Sequence, residues 1–204
     1  MDEQGFLAGQ APEYIGTALA VVSVILIARQ NILGWPLGIL WALISAWLAF
    51  TRWNLVSDGI LYVSYVPLQL YCWFTWHRHG SVEESFRPRW LTRRQQMFLL
   101  IGALVAVMLW GSSVKLFSEH VSWMTPPALL WRDAITTVLS YFAQLLQARK
   151  RMENWLVWVI VNALGIHIYL LKESPIYAAQ YGFFLILGVY GWWSWRRTMR
   201  EGVA

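Results

Sequence analysis

The chain of 204 residues predicts an all-α integral membrane fold with seven spanning helices, and three observations predict it. Apolar residues make up 58% and charged residues 13%, with a mean hydropathy of +0.45, whereas soluble domains average about 45–50% and about 25%. The 15 tryptophans gather toward the ends of apolar stretches, where interfacial rings settle between lipid and water. The basic residues lie between those stretches instead of in one patch.

Each observation also excludes something. A chain this apolar is neither a soluble domain nor a disordered one. The net charge of +5 is dispersed, so it reads as topology and not as a nucleic-acid footprint. The lone Cys72 forms no intramolecular disulfide, and no Cys/His cluster, HExxH, GxSxG or P-loop is present, so neither a metal, a cofactor nor an enzyme is expected. The start MDEQ is acidic where a secretory leader would be basic, so the first apolar stretch is read as an uncleaved span.

A hydrocarbon core of about 30 Å takes roughly 20 helical residues. Seven segments qualify: about Tyr14 to Ala28, Ile32 to Thr51, Trp53 to Trp76, Met97 to Val114, Pro127 to Ala148, Trp155 to Leu171, and Ser174 to Trp195. Each is apolar nearly throughout, without the period-two alternation of barrel strands. Arg29, Arg78, Arg87, Arg89, Arg93, Arg94, Arg149, Lys150, Arg151, Arg196, Arg197 and Arg200 fall on one side, and Arg52, Lys115, Arg132 and Lys172 on the other. Positive residues stay inside, so the N-terminus is expected outside and the C-terminus in the cytoplasm. The polar connection from His77 to Gln96 is then cytoplasmic.

The chain also repeats itself. Ala28, Arg29 and Trp35 recur as Ala148, Arg149 and Trp155 at an offset of 120, and the run Tyr71 to Arg78 recurs as Tyr190 to Arg197 at 119. Spans one to three therefore correspond to spans five to seven. The odd helix between them gives both triplets one orientation, a parallel three-plus-one-plus-three design. The expected division is 1–79 for the first repeat, 80–125 for linker and connector helix, and 126–204 for the second repeat. Parallel repeats are a transporter architecture with the solute held between the halves, so a permeation pathway is the leading function class.

Polar side chains inside spans face the bundle interior and mark such pathways. In the third span Asp58, Tyr62, Tyr65 and Gln69 form one stripe, and the fifth carries Asp133, Thr136, Thr137, Ser140, Gln144 and Gln147. The seventh offers Tyr177, Gln180 and Tyr181. The sixth is the most informative: Trp155, Trp158, Asn162, Gly165 and Tyr169 share one face. Two indoles one turn apart beside an Asn suit a flat ring with a polar edge. Interhelical packing accounts as well for the fifth span, and better for the second, where Trp35, Gly38, Ala42, Ser45 and Ala49 share a face. The fourth span has no polar stripe beyond Trp110 and reads as a connector facing lipid.

The run Glu153-Asn-Trp-Leu-Val-Trp158, followed by Asn162, Tyr169 and the ending Tyr190-Gly-Trp-Trp-Ser-Trp195-Arg-Arg, closely resembles the PnuC family of bacterial vitamin transporters. The resemblance covers most of the chain. It implies a seven-helix relative of the SWEET transporters in the bacterial inner membrane. The implied substrate is nicotinamide riboside, with thiamine or riboflavin carried by related members, taken up by facilitated diffusion and trapped by a cytoplasmic kinase. Trp155 and Trp158 would flank the ring and Asn162 would bond its edge. Asp58, Tyr62, Tyr65, Gln144, Tyr169, Gln180 and Tyr181 would complete the site. Many members carry a Gln where this chain has Tyr62, which leaves the ribose contact and the choice of vitamin open. The other reading is a non-transporting membrane subunit or sorting receptor, against which the polar faces of four spans argue. Beyond the vitamin, lipid and the kinase, a homo-oligomer is left open.

Overall fold

The computed structural model describes residues 3–52, 56–78, 87–120, 129–171, 173 and 175–201, apart from the side chains of 3–10, 56–58 and 176. Seven helices and no strand lie among the described residues: α1 Glu3–Ala28, α2 Gly34–Thr51, α3 Val56–Arg78, α4 Arg93–His120, α5 Leu130–Ala148, α6 Glu153–Leu171 and α7 Pro175–Glu201. Ala11–Ala28 within α1, and α2, α4 and α6, are long and apolar enough to cross a membrane by composition alone. The other three, α3, α5 and α7, carry most of the polar residues expected inside the spans. The expected boundaries at 79/80 and 125/126 lie outside the described residues.

The chain divides into two compact units, Met1–Arg87 and Pro88–Ala204. In the first, α2 packs against both α1 and α3; in the second, α6 packs against α5 and α7, and α4 joins them through α5. α4 thus groups with the second unit. Its large apolar side chains, Phe98, Leu104, Met108 and Leu109 among them, are exposed, as suits contact with lipid. Close approach to α5 is possible at Gly111, where a Cβ would meet the Trp131 ring.

The turns reveal how closely the two units repeat. α1 ends with the Asn31 amide donating to the Leu26 carbonyl and the Gln30 amide to Ile27, and α5 ends with Arg151 donating to Leu146 and Lys150 to Gln147. These are paired six-to-one and five-to-two bonds of a Schellman ending. Gln30 (φ 63°) and Lys150 (φ 52°) hold the left-handed position that usually goes to glycine. The next bonds recur too, with Gly34 donating to Asn31 and Trp35 to Ile32 in one unit, and Asn154 to Arg151 and Trp155 to Met152 in the other.

The same correspondence holds in the cores. Trp35 meets Trp76 edge to face at 5.3 Å and 82°, and Trp155 meets Trp195 at 5.4 Å and 89°. All four indoles are fully buried. Edge-to-face pairs of this kind add about 0.5–1.5 kcal/mol beyond the area they bury. Each pair ties the start of the middle helix of its bundle to the end of the following one.

Candidate functional site

The polar face of α6 begins with Trp155, 1% exposed. Its ring lies over Gly191 of α7, where a Cβ would collide with the six-membered ring, and against Trp195. Its indole N–H is buried without a hydrogen-bond partner, as is that of Trp35 in the first unit. In this conformation Trp155 is enclosed by protein, in the same setting as its counterpart.

Trp158, one turn on, is partly exposed. Asn162 follows at 6% exposure, and its side chain makes no hydrogen bond with the described residues. A primary amide offers two donors and an acceptor, so Asn162 holds unused capacity beside a partly open indole. Gly165 then lets α7 approach: the Tyr181 ring occupies the space a Cβ would need. Tyr169 stacks on Tyr181 at 5.3 Å and 23°, and lies 5.1 Å from Tyr177. Three tyrosines therefore close one end of this face. Gln180 is partly exposed, while Gln144 of α5 is buried and engaged with other groups.

The expected residues of α3 lie in the other unit. Trp41 of α2 meets Tyr62 edge to face at 5.7 Å and Tyr65 at 6.4 Å. Gln69 reaches across to α2, where its Nε2 donates to the Gly38 carbonyl at 3.1 Å. The Asp58 side chain lies outside the described residues. Trp41 had no distinguishing signal in the sequence, being one of several tryptophans on an apolar helix. His167, off the polar face of α6, accepts from Arg132 Nη1 at 3.0 Å, the guanidinium having only donors to offer.

Helices long and apolar enough to cross a bilayer, with aromatic and amide side chains along one face of α6, define a polytopic membrane protein. Residues 10–197 match the family model described as nicotinamide mononucleotide transporter, and the chain belongs to that family. It is thus a membrane transporter and not an enzyme. Among curated relatives it is 25% identical over 207 residues to the nicotinamide riboside transporter PnuC of Escherichia coli strain K12, covering 93% of this chain and 86% of that one. It is 24% identical over 192 residues to the riboflavin/roseoflavin transporter RibM of Streptomyces davaonensis, covering 89% and 84%. The fold matches the crystal structure of the vitamin B3 transporter PnuC with a TM-score of 0.76 at 22% identity, over 96% of this chain and 85% of that one.

Proposed function

We propose that this transporter carries nicotinamide riboside into a bacterial cell across the inner membrane. The carrying observation is Asn162: a buried amide with free bonding capacity, one turn from the partly exposed Trp158. Nicotinamide riboside presents a flat cationic pyridinium and a carboxamide. The indole of Trp158 attracts the first, and Asn162 pairs with the second in both directions. Trp155 backs the site by fixing α6 against α7. Gln180, Tyr181 and Tyr169 stand toward the ribose, and Gln144, Tyr62, Tyr65 and Asp58 belong to the wider pathway.

Transport is facilitated diffusion by alternating access between two parallel three-helix repeats, with the N-terminus outside and the C-terminus in the cytoplasm. α6 runs as an unbroken helix, which favours a carrier without the unwound backbone that sodium sites use. Net uptake then depends on a cytoplasmic kinase that phosphorylates the vitamin. Riboflavin is the second reading, favoured by the comparable identity to RibM.

Calorimetry on purified protein with nicotinamide riboside, riboflavin and thiamine tests the substrate; binding of riboflavin alone would overturn the first reading. Proteoliposomes should exchange labelled substrate without an imposed gradient. Accumulation above the external level under a proton or sodium gradient would exclude facilitated diffusion.

A further inference from the structure

The segment between Arg87 and α4 is not a free connection. Arg89 pairs with the α5–α6 turn on both sides of its peptide: its amide donates to the Lys150 carbonyl at 3.1 Å, and its carbonyl accepts from the Met152 amide at 3.1 Å. Arg151 Nη1 approaches the Trp90 carbonyl at 3.4 Å. The central group is Glu153, the first residue of α6 and 6% exposed. Its Oε1 accepts the Leu91 amide at 2.8 Å and Gln96 Nε2 at 3.0 Å. Thr92 and Gln95 then form a reciprocal cap that starts α4, with bonds of 3.0 and 3.3 Å.

Glu153 is not required by the repeated scaffold. Its counterpart 120 residues earlier is Leu33, 58% exposed, although the turn bonds on either side are conserved between the two units. A buried carboxylate is expensive to desolvate and is retained where it has donors to hold. Here those donors come from the connecting segment and from α4. Five residues further along the same helix stands Trp158, and nine along stands Asn162.

We propose that residues 88–96 are a strap fastened by Glu153 to the start of α6, and that Glu153 is a positioning residue that sets the placement of the Trp158–Asn162 face and so the affinity for substrate. This rests on the reading of α6 as the nicotinamide riboside site. Because coupling between two sites is reciprocal, substrate on α6 must in turn tighten the strap.

Limited trypsin digestion of the full-length protein, read by intact mass, reports on the strap directly, since both sides of Arg89 are bonded only when it is docked. Arg87 precedes proline and resists trypsin, so cleavage after Arg89 stands apart. Glu153→Gln keeps the Oε1 acceptor but loses its charge and sets an amide NH2 where the buried Oε2 has no partner, so its protection should fall between the wild type and Glu153→Leu. Glu153→Leu removes the acceptor and should raise cleavage after Arg89 by about tenfold or more, because slow proteolysis follows the open population.

Nicotinamide riboside should slow this cleavage in the wild type and in Glu153→Gln but not in Glu153→Leu, whose Kd should rise about fivefold or more. If Glu153→Leu is not monodisperse, Gln96→Ala, an exposed position that loses one of the two donors, should give smaller shifts in the same directions. Equal cleavage in the Gln and Leu variants would overturn the strap. Raised cleavage with unchanged Kd would overturn its coupling to the site. Failure of the wild type to bind nicotinamide riboside is a separate result: it removes the substrate reading, and the cleavage comparison needs no substrate.

Discussion

Replacing Asn162 by leucine should make the protein more stable and a poorer carrier at once. Asn162 is 6% exposed and makes no side-chain hydrogen bond with the described residues. A polar group buried without a bond costs about 1–3 kcal/mol, and the residual exposure puts this amide at the lower end. Leucine has nearly the same volume and no polar atom, so unliganded Asn162→Leu should gain about 1 kcal/mol, or a Tm rise of about 2–4 °C at this chain length. The substrate carboxamide, by contrast, would enter a site with no partner. Leaving one buried polar group unpaired costs about 1–3 kcal/mol, which weakens binding about fivefold to more than a hundredfold. Thermal unfolding without ligand and calorimetry with nicotinamide riboside, on the same monodisperse preparation, measure both. A lower Tm together with unchanged Kd would show that Asn162 is interhelical glue, and the α6 site would fall with it.

Four further outcomes follow from the packing. Trp158→Ala should weaken nicotinamide riboside binding about tenfold by calorimetry, at the stronger end of stacking and cation–π values; wild-type affinity would remove Trp158 from the site. Trp155→Phe keeps an aromatic ring at a sealed position and loses an N–H that has no partner together with part of the indole that packs on Gly191 and Trp195, so Tm should fall while binding changes far less than in Trp158→Ala. Gly191→Ala should cost about 1–3 kcal/mol by overpacking, since its Cβ would collide with the Trp155 ring; an unchanged Tm would show that the ring has room. Lys150→Gly should stabilise by roughly 0.5 kcal/mol, the relief of a left-handed φ less the entropy glycine adds to the unfolded chain. Burial also holds the Lys150 ammonium below the usual lysine range. The unfolded chain therefore binds more protons at high pH, and wild-type stability should gain a contribution as pH rises toward that range, one that Lys150→Gly lacks.

Hydropathy located each helix among the described residues but not its full extent. The first span was expected from Tyr14, yet α1 begins at Glu3; the fourth was expected over Met97 to Val114, yet α4 runs Arg93–His120. Apolarity marks where a helix crosses hydrocarbon, while the backbone stays helical through polar turns beyond it. The α6 face was legible because 3.6-residue periodicity fixes which residues share a side. What covers each of them was not. Gly191 decides that Trp155 is sealed, and a glycine on a neighbouring helix leaves no mark on the periodicity of α6. The strap was equally hidden, since the bond from Leu91 to Glu153 joins residues 62 apart and half its donors are backbone amides, identical in every sequence.

The divergence between the repeats says more about function than either repeat alone. At an offset of 120, the α2 face Trp35, Gly38, Ala42, Ser45 and Ala49 aligns with Trp155, Trp158, Asn162, Gly165 and Tyr169 of α6. Only the first position is unchanged, and it is the one whose ring pair recurs within 0.1 Å, 5.3 against 5.4 Å. The remaining four residues of the α2 face are small and all are buried, so α2 can press close to its neighbours. In α6 the same positions hold an indole, an amide and a phenol, and Trp158 and Tyr169 stay partly exposed. A duplicated helix filled with small residues packs; one refilled with large and polar groups must leave them somewhere to reach. Natural membrane helices put such groups where solute or water meets them. Along α6 the second unit therefore departs from the pattern that the two units otherwise share, and Leu33 against Glu153 extends that departure to the turn from which α6 starts.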